Sequence, residues 1–470
     1  MWTDLVTVAI DVLPDDVLLH IFRFIQPEDV DRLWSLSWGW HRLVHVCRRW
    51  RSVVFSSPNF LDLRLVCCPW TRVELIPIWP PIIPIIIRNM FDWPMPEDYD
   101  FDAVMVHHNR VREIDLLHLT GSQLQRLASA MLVDFPALIH LTFGFGDDYG
   151  GPAPALPDEF LAGSAPCLQS LELHSIPFPV LPKLLLSATH LVRLSLRDVP
   201  HSGYVSPEAI VTGLAVMNNL RSFIIEFESP LSCPRQGSRP PPPTRTVLPA
   251  LTRFEFRGIS EYLEDLVARI DTPLLDSIWI TFFQQLIFDI PRLAQFMGRT
   301  TRFETLNEAH VEFDYQGVQI GNLPPTRTFQ FEEKSGLRIS CREVNWQLSS
   351  LAQVLTSVFP SIHMVEHLYI SGPRYLPSQW QQVEITPWLG IFLPFTDVRN
   401  LYVCKEFAQC IALSLQDLVG EIGMGMLPAL ESLFLENLQP SGPVQEDIQR
   451  FVVARRRLGY PVAVFEWDGT

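Results

Sequence analysis

Leu427-Pro428-Ala429-Leu430-Glu431-Ser432-Leu433-Phe434-Leu435 decides how this chain is read. A proline punctuates the chain, and apolar residues then follow in the spacing L-x-x-L-x-L. The last positions alternate apolar and other, the period of a strand with one buried face. The same pattern stands at Phe135-Pro136-Ala137-Leu138-Ile139-His140-Leu141-Thr142-Phe143 and at Ala165-Pro166-Cys167-Leu168-Gln169-Ser170-Leu171-Glu172-Leu173. It returns at Leu248-Pro249-Ala250-Leu251-Thr252-Arg253-Phe254-Glu255-Phe256 and Thr272-Pro273-Leu274-Leu275-Asp276-Ser277-Ile278-Trp279-Ile280. Copies without the proline start at Leu191, Leu220, Val365 and Val398.

Where copies are consecutive they recur every roughly 23 to 33 residues, near the interval of leucine-rich repeats. Helix signals lie between them. Ser206-Pro207-Glu208 caps a run ending near Asn219, and Pro157-Asp158-Glu159 starts another. No repeat could bury its apolar face alone, so the copies must stack. The expected fold is α/β: an irregular leucine-rich-repeat-like solenoid over 61–470, with a parallel sheet backed by helices. Residues 229–249, with the run Pro240 to Pro243, read as a mobile proline-rich loop. Within 302–331, Val311 and Phe313 suggest a strand. Near the end, Glu446 and Asp447 start a helix lined by Ile448, Phe451 and Val452. Arg455, Arg456 and Arg457 close it, Gly459 and Pro461 stop it, and Val462, Val464 and Phe465 read as a closing strand.

In each copy the residue between the last two apolar positions should project from the exposed, concave side of the sheet. Those positions are Thr142, Glu172, Ser195, Ile224, Glu255, Trp279, Tyr369, Tyr402 and Phe434. The early ones are mostly small or acidic, and the late ones are aromatic. Aromatic rings in a row anchor protein contacts or are covered by the chain's own tail. The expected partner-binding residues are therefore Trp279, Tyr369, Tyr402 and Phe434.

The first sixty residues differ. Leu13-Pro14-Asp15-Asp16 opens a helix with proline at its start and carboxylates at the positive end of the dipole. Leu18, Ile21, Phe22 and Ile25 follow on one face. Gln26-Pro27-Glu28-Asp29 repeats the start signal, and Val30, Leu33 and Trp34 make a second stripe. A third helix carries Leu43, Val46, Cys47 and Trp50, with Arg48, Arg49 and Arg51 beside them. Three short helices hold more large apolar side chains than they can bury, which marks a binding surface.

LPDDVLLHIFRFIQPEDVDRLWSL followed by LVHVCRRWRSVVFSSPNF resembles the F-box. The signposts are the Leu-Pro start, Ile21-Phe22, the Pro-x-Asp second helix and Val46-Cys47-Arg48-x-Trp50-Arg51. Residues 36–42 read as an insertion between the second and third helices. The resemblance covers about 10–60 of a 1–60 domain. It implies a non-catalytic substrate-recognition subunit of an SCF-type ubiquitin ligase. Such a subunit binds a Skp-family adaptor, and through it a cullin–RING ligase, and holds a protein substrate on the repeats. Matched onto this sequence, the adaptor-binding residues are Leu13, Pro14, Leu18, Ile21, Phe22, Val30, Leu33, Cys47, Trp50 and Arg51. Val46 and Trp50 read equally as residues that hold the helices together. The alternative is a repeat scaffold acting outside ubiquitination.

Composition narrows the classes further. The net charge of −16, from 36 basic and 52 acidic residues, argues against a nucleic-acid partner. Eight irregularly spaced cysteines read as reduced, mostly buried thiols of a cytoplasmic or nuclear protein. The most apolar window, LIPIWPPIIPIII at 75–87, is shorter than the about 20 residues of a membrane span. Its prolines make it a buried extended segment, so no membrane anchor is expected. His363-Met364-Val365-Glu366-His367 matches the H-x-x-E-H string of a zinc peptidase class. Val365, Leu368 and Ile370 fit the repeat, so the segment should be partly extended and the histidines should share no helix face. No catalytic group, metal site or cofactor is expected.

Overall fold

The computed structural model describes residues 12–25, 38–89, 95–146, 151–233, 244–285, 287–299, 307–321, 336–341, 344–359, 362–372, 386–417, 426–437 and 442–467. The chain divides into two compact units, Met1–Leu191 and Val192–Thr470.

The first unit opens with α1 (Asp15–Ile25), α2 (Trp38–Val44) and α3 (Arg48–Ser56). Part of the stretch read as an insertion is thus helical. Trp40 explains why: its indole is buried and donates to the Arg64 carbonyl at 3.2 Å, while Leu43 and Val44 are buried beside it. Tertiary packing decides a segment whose propensity is weak. Leu43 therefore belongs to α2, Val46 lies in the turn, and α3 begins at Arg48. The second apolar stripe, Val30, Leu33 and Trp34, lies outside the described residues.

Five strands follow: β1 (Leu65–Cys67), β2 (Ile85–Arg88), β3 (Val111–Leu119), β4 (His140–Phe145) and β5 (Ser170–His174). They pair in chain order, all parallel. The connections carry α4 (Phe101–Met105) and α5 (Gly121–Ala130), and α6 (Leu181–Leu185) follows β5. Thr120 and Gln123 close a capping box on α5. The window 75–87 is only partly extended. Val73–Ile78 forms a 3₁₀ turn that includes Pro77, and β2 begins at Ile85. Ile83, Ile85, Ile86 and Ile87 are buried, but Leu75, Ile78 and Ile82 are exposed. The expected helix after Pro157 is instead the 3₁₀ turn Phe160–Gly163, with Leu161 and Ala162 in left-handed conformations.

The second unit adds β6 (Arg193–Val199), α7 (Pro207–Leu214), β7 (Ser222–Phe227), β8 (Thr246–Val247), β9 (Arg253–Gly258), α8 (Ser260–Val267), β10 (Ile270–Asp271), β11 (Ser277–Phe283) and α9 (Pro291–Met297). Next come β12 (Glu308–Asp314), β13 (Gly317–Gly321), β14 (Gly336–Ser340), α10 (Val344–Val358) and β15 (His367–Ser371). The last elements are α11 (Thr386–Phe392), β16 (Asn400–Val403), α12 (Lys405–Asp417), β17 (Ser432–Glu436), α13 (Pro443–Arg457) and β18 (Ala463–Trp467). Within this unit the main sheet runs β6-β7-β9-β11-β14-β13-β12-β15-β16-β17-β18. The pairs are parallel except β14-β13 and β13-β12. Every repeat copy read from this half of the sequence forms a strand, and the signal at Val311 and Phe313 is β12. The antiparallel excursion through β13 and β14 was not expected.

Alternate residues of the strands point to the helices. Phe254, Phe256, Leu368, Ile370, Leu401, Val403, Leu433 and Leu435 are all buried. The helices are tied to one another by buried polar groups. Glu264 of α8 caps α9, accepting from the backbone N–H groups of Leu293 at 2.7 Å and Arg292 at 3.0 Å. Residues 234–243 of the proline-rich stretch, with the run Pro240 to Pro243, lie outside the described residues. Its end is not loop: Thr246 and Val247 pair with Ile270 and Asp271. The helix after Ser206 ends at Leu214, and the last helix starts at Pro443, three residues before Glu446. Arg455 of that helix is buried and donates to the carbonyls of Leu427, Pro428 and Leu430. One of the three arginines therefore locks the loop before β17. Among the described residues no helix is long and apolar enough to cross a membrane.

Candidate functional site

The helical module sorts its apolar residues onto two sides of α1. Leu18 and Phe22 have no exposed surface, and the Phe22 ring meets Trp50 at 4.7 Å. These residues hold the helices together. On the other side, Val17, Ile21 and Phe24 fall in one stripe. Val17 is exposed, Ile21 half-buried, and Phe24 is 89% exposed. Pro14 is exposed at the helix start, with Leu13 half-buried before it. Arg49 fixes that start, pairing with Asp15 at 2.7 Å and donating to the Leu13 carbonyl.

The third-helix residues have local roles. The Cys47 sulfur caps α3, accepting from the Trp50 N–H at 3.4 Å. Arg51 Nε donates to the Val44 carbonyl at 2.9 Å, closing the turn between α2 and α3. Val30 and Leu33 lie outside the described residues. Phe24 was missed at the sequence level because it sits one position past the apolar face. Its helical phase with Val17 and Ile21 was the available signal.

The second candidate surface lies in the second unit. Register places Ser195, Ile224, Glu255 and Trp279 in one cross-strand row. The row continues through Gly336, Gly321 and His310 to Tyr369, Tyr402, Phe434 and Phe465. Two glycines of the unexpected hairpin thus stand between Trp279 and the later rings. The Trp279 ring leans over Gly336, and a Cβ there would lie 2.8 Å from Cζ3. A side chain at that position would displace the indole.

Beyond the glycines the rings stack. Centroids are 4.2 Å apart for His310–Tyr369 and Tyr369–Tyr402, and 4.4 Å for Tyr402–Phe434, with planes within 11°. Phe434–Phe465 extends the stack at 5.1 Å. Parallel strands impose this. In-register partners sit about 4.8 Å apart, close to the thickness of stacked rings. Trp467 leans across the stack, its centroid 5.5 Å from Tyr402 and 6.3 Å from Tyr369. Tyr369, Tyr402, Phe434 and Trp279 are all half-buried. The end of the chain thus covers part of the row but leaves some surface on every ring.

The electrostatics follow from the stacking. Burial, the nearby Tyr402 and Glu308, and a hydrogen bond with Tyr402 push the Tyr369 phenol up to about 12. Burial lowers the His310 imidazole below its usual value, against the opposing pull of Glu308. The early part of the row is closed. Ser195 and Ile224 are buried, and Arg197 bridges Glu226 at 3.0 Å and Glu255 at 3.4 Å beside them. The expectation that these two would project into solvent therefore fails, because long ion-paired side chains lie over short ones. In the first unit the corresponding row is Asp115, Thr142 and Glu172.

His363 lies in a 3₁₀ turn and His367 begins β15, so the segment is partly extended, as its pattern implied. The described residues contain no group of three or more potential metal ligands. A comparison with curated proteins returns no match. Against protein-family models, residues 10–60 match the one described as F-box-like, and the chain carries an F-box-like domain there.

Proposed function

We propose that this chain is a non-catalytic substrate-recognition subunit of an SCF-type cullin–RING ubiquitin ligase. The observation that carries the reading is the F-box-like match over residues 10–60, on a helical module with an exposed apolar stripe. A Skp-family adaptor would cover Leu13, Pro14, Ile21, Val17 and Phe24. Val30, Leu33, Cys47, Trp50 and Arg51 are part of the same proposal, the last three through the geometry they impose. Exposed phenylalanine on a short helix is costly unless a partner takes it up, and aromatic side chains anchor such interfaces. The protein substrate would meet the second unit at Trp279, Tyr369, Tyr402 and Phe434.

The test is capture of a purified Skp-family adaptor by the full chain and by Phe24→Ala. We expect stoichiometric adaptor with the parent chain and a loss of tenfold or more in affinity with the variant, at unchanged helicity. Equal capture by both would remove the stripe from the interface. Capture of adaptor without any cullin-dependent ubiquitination would favour a scaffold outside that pathway.

A further inference from the structure

We infer that the aromatic row takes an extended basic segment of the partner protein, holding two lysine or arginine side chains at opposite corners of the row. The inference rests on the reading that the partner docks on this face, and it assigns the chemistry of what docks.

The ring faces are already used. Centroids of 4.2 to 4.4 Å leave no room for a ligand between His310, Tyr369, Tyr402 and Phe434. The stack therefore offers ring edges and hydroxyl oxygens to a partner. Apolar stems can lie along such edges. Phe465, at the open end of the stack and 46% exposed, keeps one face free of the stack. A guanidinium can stack there.

Charge gives the sign of the occupant. On β12 and β15 to β18, the positions sharing the face of the row carry Glu308, Glu312, Asp314 and Glu436 and no lysine or arginine. Two of these carboxylates are engaged. Asp314 pairs with Arg338 at 2.7 Å, and Glu312 accepts from Gln319 Nε2. The other two are not matched by a strong cation among the described residues. The Glu308 side chain is 51% exposed, and its neighbour is His310 at 3.9 Å, an imidazole whose pKa burial lowers. Glu436 accepts a backbone N–H from Lys405 at 3.3 Å.

Among the described residues, the ion-paired arginines beside the row are already committed to carboxylates, which disfavours an anionic or phosphorylated segment. Arg197, Arg253, Arg257 and Arg338 all carry carboxylate partners within 3.4 Å. Glu308 and Glu436 flank the row from opposite sides, three strands and four residues apart in register. Strand spacing and rise put them roughly 20 Å apart. An extended chain covers that distance in about six residues. The segment should therefore carry two basic residues about six apart, with apolar residues between them facing Tyr369 and Tyr402.

The experiment is a positional-scanning peptide library that includes phosphoserine and phosphothreonine, presented to the full chain and to Glu308→Gln/Glu436→Gln and Phe465→Ala. We expect selection of lysine and arginine at two positions about six apart. The best such peptide should lose about tenfold or more in affinity with the double glutamine variant. Selection of acidic or phosphorylated residues would overturn the inference, as would no selection at all. So would basic selection that the glutamine variant leaves unchanged, which would reflect only the net charge of −16. A concentration-dependent dimer abolished by Phe465→Ala would give the face to a second copy and also overturn it. Acidic selection that still requires Phe465 would sink the basic segment while keeping the docking face. Loss of adaptor capture would bear on the helical module alone.

Discussion

Tyr402 is the centre of the aromatic stack, and its removal measures what the stack is worth. Its ring meets Tyr369 at 4.2 Å, Phe434 at 4.4 Å and Trp467 at 5.5 Å. Aromatic pairs contribute about 0.5 to 1.5 kcal/mol each beyond area burial. Three pairs, discounted because the ring is half-buried and the contacts are not additive, give about 2 to 3 kcal/mol for Tyr402→Ser. In a stacked repeat array the loss should stay with the nearest neighbours. Hydrogen exchange read by mass spectrometry resolves this. Peptides from β15, β16 and β17 should exchange about 30- to 150-fold faster, the factor set by 2 to 3 kcal/mol. Peptides from β6 and β7 should keep parental rates. Unchanged exchange at β16, or equal acceleration across the whole unit, would refute the reasoning that the rings act as a local ladder.

His310 makes the same ladder sensitive to acid. Burial lowers its folded pKa below the unfolded value of about 6.5, so its contribution is present above that value and is lost as pH falls through the folded pKa. His310→Phe keeps the stack and removes the proton, so midpoint denaturant between pH 7 and 5 should fall less than in the parent; an identical slope would exclude His310 as the source. Phe22→Ala should cost about 3 to 5 kcal/mol, because the ring is fully buried against Trp50, and should expose α1 and α3 to exchange. Phe24→Ala should leave the stability within about 0.5 kcal/mol. Glu264→Ala should cost about 1 to 3 kcal/mol by uncapping α9, and Glu264→Gln less, since its amide oxygen still accepts; equal losses in urea unfolding would place the effect elsewhere.

Local pattern was enough for the strands of the repeat copies and for the side of each that is buried. Leu430, Leu433 and Leu435, and the matching residues of the other copies, announce a half-buried strand through spacing alone. Parallel stacking then aligns Tyr369, Tyr402 and Phe434 without further information, because each repeat contacts only its neighbours. The Leu-Pro-Asp-Asp start and the face of Leu18 and Phe22 were readable in the same way. The sequence did not reveal which side of α1 is covered. Leu18 and Ile21 are alike in type, yet Leu18 is fully buried and Ile21 only half-buried. Nor did it reveal the hairpin that sets Gly336 and Gly321 between Trp279 and His310: β12 and β13 pair across a tight turn, Asp314 with Gly317, but β11 joins β14 and β12 joins β15 only across long stretches of sequence. The burial of Trp40 in α2 and the packing of α13 on α12 were also tertiary. The fate of the late rings was likewise tertiary. Trp467 reaches back over Tyr369 and Tyr402 only because β18 adds to β17 in register, so the rings end half-covered, between the exposed and buried states that sequence alone allowed. Periodicity is a local property carried by each segment, whereas burial is a property of pairs, and the partner of each face is fixed only when the chain has closed on itself.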